Sequence, residues 1–193
     1  MIIGITGRSG SGKSFLSDIL AEKLDMIHID IDKISHEVLT FEESKKFLLN
    51  EFGSEIFENG VVNRKKLGKI VFGEPEKLEK LNRFCQIEME AKIDEIIASA
   101  TKPLILDYAL LFGLKQFESC DIKILLKADF DVRYSRVKTR ENITREYFLS
   151  RDSSLSDSDY NESLFDFVYH HISKEEIEEL SKTLKSKLGA NHD

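Results

Sequence analysis

The first thirty-one residues complete a unit that only a parallel sheet accommodates. Ile2 to Thr6 is a short β-branched run of buried-strand type, and a helical spacing follows from about Gly12 to Leu24. Phe15, Leu16, Ile19, Leu20 and Leu24 recur at intervals of three and four, one buried helix face. Met26 to Ile31 then returns as a second strand. Strand, helix and strand this close together form a βαβ unit, whose two strands run parallel.

The turn inside that unit, within "GITGRSGSGKSFLSD", carries three glycines, two serines and a lysine. A turn alone needs only one or two such residues. Gly7, Gly12, Lys13 and Ser14 satisfy G-x-x-x-x-G-K-[ST], a pattern that a chain of this size meets by chance roughly 1% of the time. Glycines let successive backbone N–H groups converge on phosphate oxygens, and the following helix adds its positive end. Lys13 reaches β- and γ-phosphates in such a loop, and the Ser14 hydroxyl ligates Mg²⁺. Gly7, Gly10, Ser11, Gly12, Lys13, Ser14 and Phe15 are therefore the expected nucleotide-binding residues.

The rest of the chain continues the α/β alternation. Residues 33–52 read as helical, Asn59-Gly60 as a turn, and residues 77–100 as a long amphipathic helix. "LILD" after Lys102-Pro103 and "IKILLKA" at 122–128 are further buried strands. Residues 131–151 have helical spacing and are rich in arginine. "RDSSLSDSDYNES" reads as a mobile loop and "LFDFVYHHI" as the last strand. Ser173 and Glu176 are spaced as a capping box for a closing helix. The expected architecture is α/β, a three-layer sandwich with a mostly parallel sheet.

Composition narrows the partners. Net charge is −7 with both signs interspersed, so no nucleic-acid footprint stands out. Cys85 and Cys120 are too few for a disulfide framework or metal cluster and read as reduced, buried thiols. No apolar run approaches a membrane span, and the N-terminus lacks the features of a signal peptide, so a cytoplasmic protein is expected.

A phosphate loop names a nucleotide and leaves the reaction open. The base-reading N-K-x-D and switch D-x-x-G of GTPases are missing from the sequence. A small-molecule kinase needs an acceptor-side carboxylate and arginines around the transferring group. "HIDID" supplies Asp30 and Asp32 at the carboxyl edge of the second strand, and with a strand period of two both point to the same side. Either can accept a hydroxyl proton. Arg136 and Arg140 lie four apart on the arginine-rich helix.

Several longer pieces resemble the dephospho-CoA kinase family: "IGITGRSGSGKS", "IDIDKISHEV", "FGSEIFENGVVNRKKLGKIVF", "LILDYALLF" and "RVKTRENITREYFLSR". The resemblance runs from Ile2 to about Val168. It implies a P-loop nucleoside-triphosphate hydrolase fold and transfer of the γ-phosphoryl of ATP to the 3′-hydroxyl of dephospho-CoA, with Mg²⁺. It implies Asp32 as the general base, Lys13 as phosphate lysine, Arg140 with Arg136 on the ATP side, and Arg64, Asp107 and Tyr108 on the acceptor side. One domain over 1–193 is implied, with a helical acceptor-binding insertion at about 34–100 and a lid at about 133–160. The chain departs from the family at Arg8-Ser9, Phe15, Gln86-Ile87, Ala109, Gly113 and Leu155. A related kinase of a nucleoside or another small alcohol, and an ATP-binding regulatory protein, are the alternative functions.

Overall fold

The computed structural model describes residues 1–71, 74–152 and 160–190. The chain divides into two compact units, Met1–Asp30 with Ala100–Asp193, and Ile31–Ser99.

The first unit is built on a five-stranded sheet of β1 (Ile2–Thr6), β2 (Ile27–Asp30), β5 (Leu104–Asp107), β6 (Ile122–Lys127) and β7 (Phe167–His170). Its order is β2-β5-β1-β6-β7, and every pairing is parallel. Together with the helices on both sides, this is the three-layer α/β arrangement that the βαβ opening implies. One face of the sheet presents Ile3, Ile5, Ile105 and Ile124 to Leu16 and Leu20 of α1 (Lys13–Leu24) and to Ile177, Leu180 and Leu184 of α8 (Lys174–Ala190). The strand residues alternate by two, and the helix residues recur at three and four, so each element contributes one apolar face. The capping box forms as spaced. Ser173 Oγ accepts from the Glu176 N–H at 3.1 Å, and Glu176 Oε2 accepts from the Ser173 N–H at 2.7 Å.

The arginine-rich stretch is two helices rather than one, α6 (Phe130–Glu141) and α7 (Arg145–Asp152). Asn142 ends the first in the left-handed region (φ 50°), a conformation asparagine tolerates, and Thr144 Oγ1 then accepts the Tyr147 N–H at 3.2 Å. The serine- and aspartate-rich loop expected at 151–163 falls mostly on residues 153–159, outside the described residues. Arg151 and Asp152 close α7 instead. The last strand is shorter than its apolar run, because residues 162–164 form a 3₁₀ turn.

The second unit contains α2 (Ile31–Glu37), α3 (Glu42–Phe52), a hairpin of β3 (Phe57–Glu58) and β4 (Val61–Val62), α4 (Arg64–Val71) and α5 (Pro75–Ser99). Leu48, Phe52, Ile56, Leu67, Val71 and Leu81 give it a core of its own. The hairpin turns on Asn59 and Gly60 with φ 51° and 76°, the paired positive values that favour Asn-Gly. The helical run expected over 33–52 is interrupted where Phe41 is extended.

One expectation is corrected here. β2 ends at Asp30, and the chain is already helical at Ile31, whose side chain is fully buried. Asp32 therefore stands in the first turn of α2, so the strand argument for placing Asp30 and Asp32 on one face does not apply. An acidic residue there suits the positive end of the helix.

Cys120 is buried and Cys85 half-buried, and both are free. Burial pushes their thiols up to about 12 and about 11, which keeps them protonated and unreactive at neutral pH. Among the described residues no helix is long and apolar enough to cross a membrane.

Candidate active site

The loop between β1 and α1 lies at the carboxyl end of the central strand, where open parallel sheets bind ligands. Its glycines are required by their surroundings. A Cβ on Gly7 would lie 2.2 Å from the Leu126 carbonyl oxygen, and one on Gly10 would lie 2.6 Å from that of Arg133. Neither position accepts a side chain without displacing backbone. The loop closes with a Ser11 N–H to Arg8 carbonyl bond of 3.0 Å, and Gly12 (φ 105°) leads directly into α1. Lys13 and Ser14 thus open the helix, with Lys13 buried and Ser14 half-buried. Phe15, one residue on, is 65% exposed.

The arginines of α6 separate into different environments. Arg136 Nη1 donates to the Gly10 and Ser11 carbonyls, both at 3.0 Å, and so braces the loop from outside. Arg140 is exposed and paired with its neighbour Glu141, and is not brought to the loop. Arg133, given no role by sequence reasoning, is almost wholly buried. Its guanidinium forks onto both carboxylate oxygens of Asp152, with Nη2 to Oδ2 at 2.7 Å, and donates to the Ser9 carbonyl at 3.3 Å. Arg8 approaches the same carboxylate and donates to the Asp152 carbonyl at 2.7 Å. The end of α7 is thereby fastened to the phosphate loop through two arginines and one aspartate. The sequence signal for this cluster was Arg8 itself, a long cation in a loop of small residues.

Removing one partner of a buried ion pair costs about 3–5 kcal/mol, because the remaining charge is left uncompensated. Asp152→Ala is therefore expected to lower Tm by roughly 6–20 °C, at about 2–4 °C per kcal/mol for a chain of this size. A thermal melt within a degree or two of wild type would show that the cluster does not support the fold.

Asp107 ends β5 and is 1% exposed. Its Oδ1 is 3.9 Å from Lys13 Nζ, so the two sequence-predicted residues are neighbours. Its Oδ2 is 3.3 Å from His28 Nε2, an ion-pair contact rather than a well-formed hydrogen bond. Asp107 and Asp18 raise the His28 pKa, with burial opposing them. Sequence reasoning missed His28, since a lone histidine within a strand carries no motif. Tyr108 follows Asp107, half-buried, and its N–H donates to the Ile5 carbonyl at 3.2 Å.

In the second unit, Arg64 starts α4 and donates to the His36 carbonyl near the end of α2, the helix whose first turn holds Asp32. Asn63 caps α4, its Oδ1 accepting the Lys65 and Lys66 N–H groups at 3.0 and 3.1 Å. That cap orients the basic turn Arg64-Lys65-Lys66.

The chain as a whole has relatives among known proteins. The sequence matches the dephospho-CoA kinase family over residues 1–171. It is 38% identical over 150 residues to the dephospho-CoA kinase of Fusobacterium nucleatum, covering 76% of each chain. It is 36% identical over 156 residues to that of Carboxydothermus hydrogenoformans, covering 78% of this chain and 75% of the relative. The crystal structure of TT1252 from Thermus thermophilus superposes with a TM-score of 0.77 at 26% identity, covering 98% of this chain and 97% of the other. A glycine-lined phosphate loop in a parallel sheet, within a sequence this close to named relatives, leads to one conclusion: the chain belongs to the dephospho-CoA kinase family.

Proposed function

We infer that this protein phosphorylates the 3′-hydroxyl of dephospho-CoA with ATP, giving coenzyme A and ADP. The reading is carried by the phosphate loop at the end of β1, in a chain that belongs to this family over residues 1–171. Asp32 takes the proton of the 3′-hydroxyl as its oxygen bonds to the γ-phosphorus and the bond to the β–γ bridging oxygen breaks. Lys13 neutralises charge on the β- and γ-phosphates, and the loop N–H groups hold them. The Ser14 hydroxyl suits Mg²⁺, a hard ion that takes few protein oxygens and completes its shell with water and phosphate. Mg²⁺ supplies further charge neutralisation when bound.

Arg136, already against the loop, is assigned to the ATP side, and Arg140 joins it if α6 and α7 form a lid. Arg64 and its lysine neighbours, with Asp107 and Tyr108, are assigned to the acceptor. The helices of residues 31–99 supply much of that acceptor surface. A cytoplasmic location belongs to the same reading and is supported by two free, protonated thiols.

Binding separates this reading from a nucleoside kinase. At a hundred times its Kd, dephospho-CoA should stabilise the fold by about 2.7 kcal/mol. At roughly 2–4 °C per kcal/mol, Tm should rise by about 5–11 °C. Adenosine or uridine at equal concentration should do far less, lacking the pyrophosphate that Arg64 or its neighbours would hold. Arg64→Ala should shrink the dephospho-CoA shift and leave that from an ATP analogue intact. A larger shift with a nucleoside, and none with dephospho-CoA, would overturn the assignment.

A further inference from the structure

Four residues of the first unit form a row of alternating charge that ends at the phosphate lysine. Asp18, on the solvent side of α1, has Oδ1 2.8 Å from His28 Nδ1. His28 Nε2 is 3.3 Å from Asp107 Oδ2, and Asp107 Oδ1 is 3.9 Å from Lys13 Nζ. The side-chain exposures run 73% for Asp18, 16% for His28, 2% for Asp107 and 10% for Lys13, so the row leads from water into the protein. Among the described residues neither Asp107 oxygen has a hydrogen-bond donor. A buried carboxylate in that position depends on nearby positive charge.

Lys13 cannot serve Asp107 and ATP equally. When the β- and γ-phosphates draw its ammonium, the carboxylate behind it loses one of its two cationic neighbours. We propose that His28 is a positioning residue for nucleotide binding: its imidazolium holds the charge of Asp107, which frees Lys13 for the phosphates of ATP. Asp18 completes the device from the outer side, because its bond to Nδ1 fixes the ring with Nε2 toward Asp107. Without a charge at position 28, Asp107 retains Lys13 more strongly and nucleotide binding weakens.

The charged groups around the ring are Asp18 from α1, Asp107 from β5 with Lys13 behind it, and Asp30 two residues along β2. Asp107 and Asp18 both raise the His28 pKa from its ordinary value, against the opposing effect of burial. The imidazolium is therefore present below that raised pKa and is lost as pH rises through it. Nucleotide affinity should fall over the same interval.

The inference rests on Lys13 holding phosphate, so Lys13→Ala is the control. If it binds nucleotide as wild type does, the phosphate-loop reading has failed rather than the role of His28. The test is binding of a non-hydrolysable ATP analogue with Mg²⁺, by calorimetry, between about pH 6 and pH 9, the range around histidine titration. His28→Phe keeps the ring volume without the charge. It should weaken binding roughly tenfold at the low-pH end of that range, the scale for uncovering a buried polar group, and flatten the pH dependence. In turnover, KM for ATP should rise by a similar factor while kcat at saturating ATP falls far less. Asp18→Asn, a change at an exposed position that leaves the core intact, should move the fall in affinity to lower pH. Wild-type affinity and pH profile in His28→Phe would overturn the proposal. Should that variant not fold, an unshifted profile in Asp18→Asn overturns it alone.

Discussion

Asp32→Asn is expected to lower kcat by about two to four orders of magnitude, the span that a positioned general base contributes. ATP-analogue affinity should change little, because Asn keeps the size of Asp while losing its negative charge and with it the ability to take the proton. Asp32 sits in the first turn of α2 directly after β2 reaches the carboxyl edge of the sheet. A residue on a helix start is held more rigidly than one on an open loop, and a base needs that fixed orientation. Steady-state turnover of dephospho-CoA with both variants decides the point. Near-normal kcat in Asp32→Asn, with the loss appearing in Asp30→Asn, would move the base to the last residue of the strand.

Lys13→Ala should behave differently, reducing both nucleotide affinity and rate. In the proposed reaction the ammonium meets the phosphates before and during transfer, so its removal should raise KM for ATP as well as lower kcat. Loss of one preorganised donor at the reacting group costs about two to three orders of magnitude in kcat. The side chain is buried beside Asp107, and the variant also removes the lysine neighbour of that carboxylate, leaving it with His28 among the described residues. A variant with intact kcat and raised KM alone would confine Lys13 to ground-state binding.

The sheet and the phosphate loop were legible because they are written in local terms. The apolar alternation in Ile2–Thr6 and "LILD", and the Gly7-to-Ser14 spacing, need no distant residue to be recognised. The limits of β2 were less so. Apolar Ile31 continues the pattern of "HIDI" equally well as strand or as the first buried residue of a helix, and packing chose the helix. The break at Asn142 was hidden for a related reason, since charged residues spaced along a helix face do not mark where the face ends. What lay furthest from view were contacts that join remote positions. Arg8 with Arg133 and Asp152, and Asp18 with His28 and Asp107, are brought together only by the order of strands. Arg64 was singled out for the acceptor side by resemblance rather than by pattern, because a basic turn at a helix start has many uses.

Strand order also bears on how the protein can assemble as it is made. β1 is the first strand of its sheet to be translated, yet its two partners, β5 and β6, begin at residues 104 and 122. The central strand therefore waits until residue 104 is made before it has a neighbour in its sheet, and the phosphate loop attached to it waits too. The 31–99 unit has no such delay, since its core residues all lie within one continuous stretch. Early closure of that stretch shortens the effective chain between β1 and β5, and with it the entropy lost when they meet. A segment inserted between two paired strands thus bears on how readily those strands find one another.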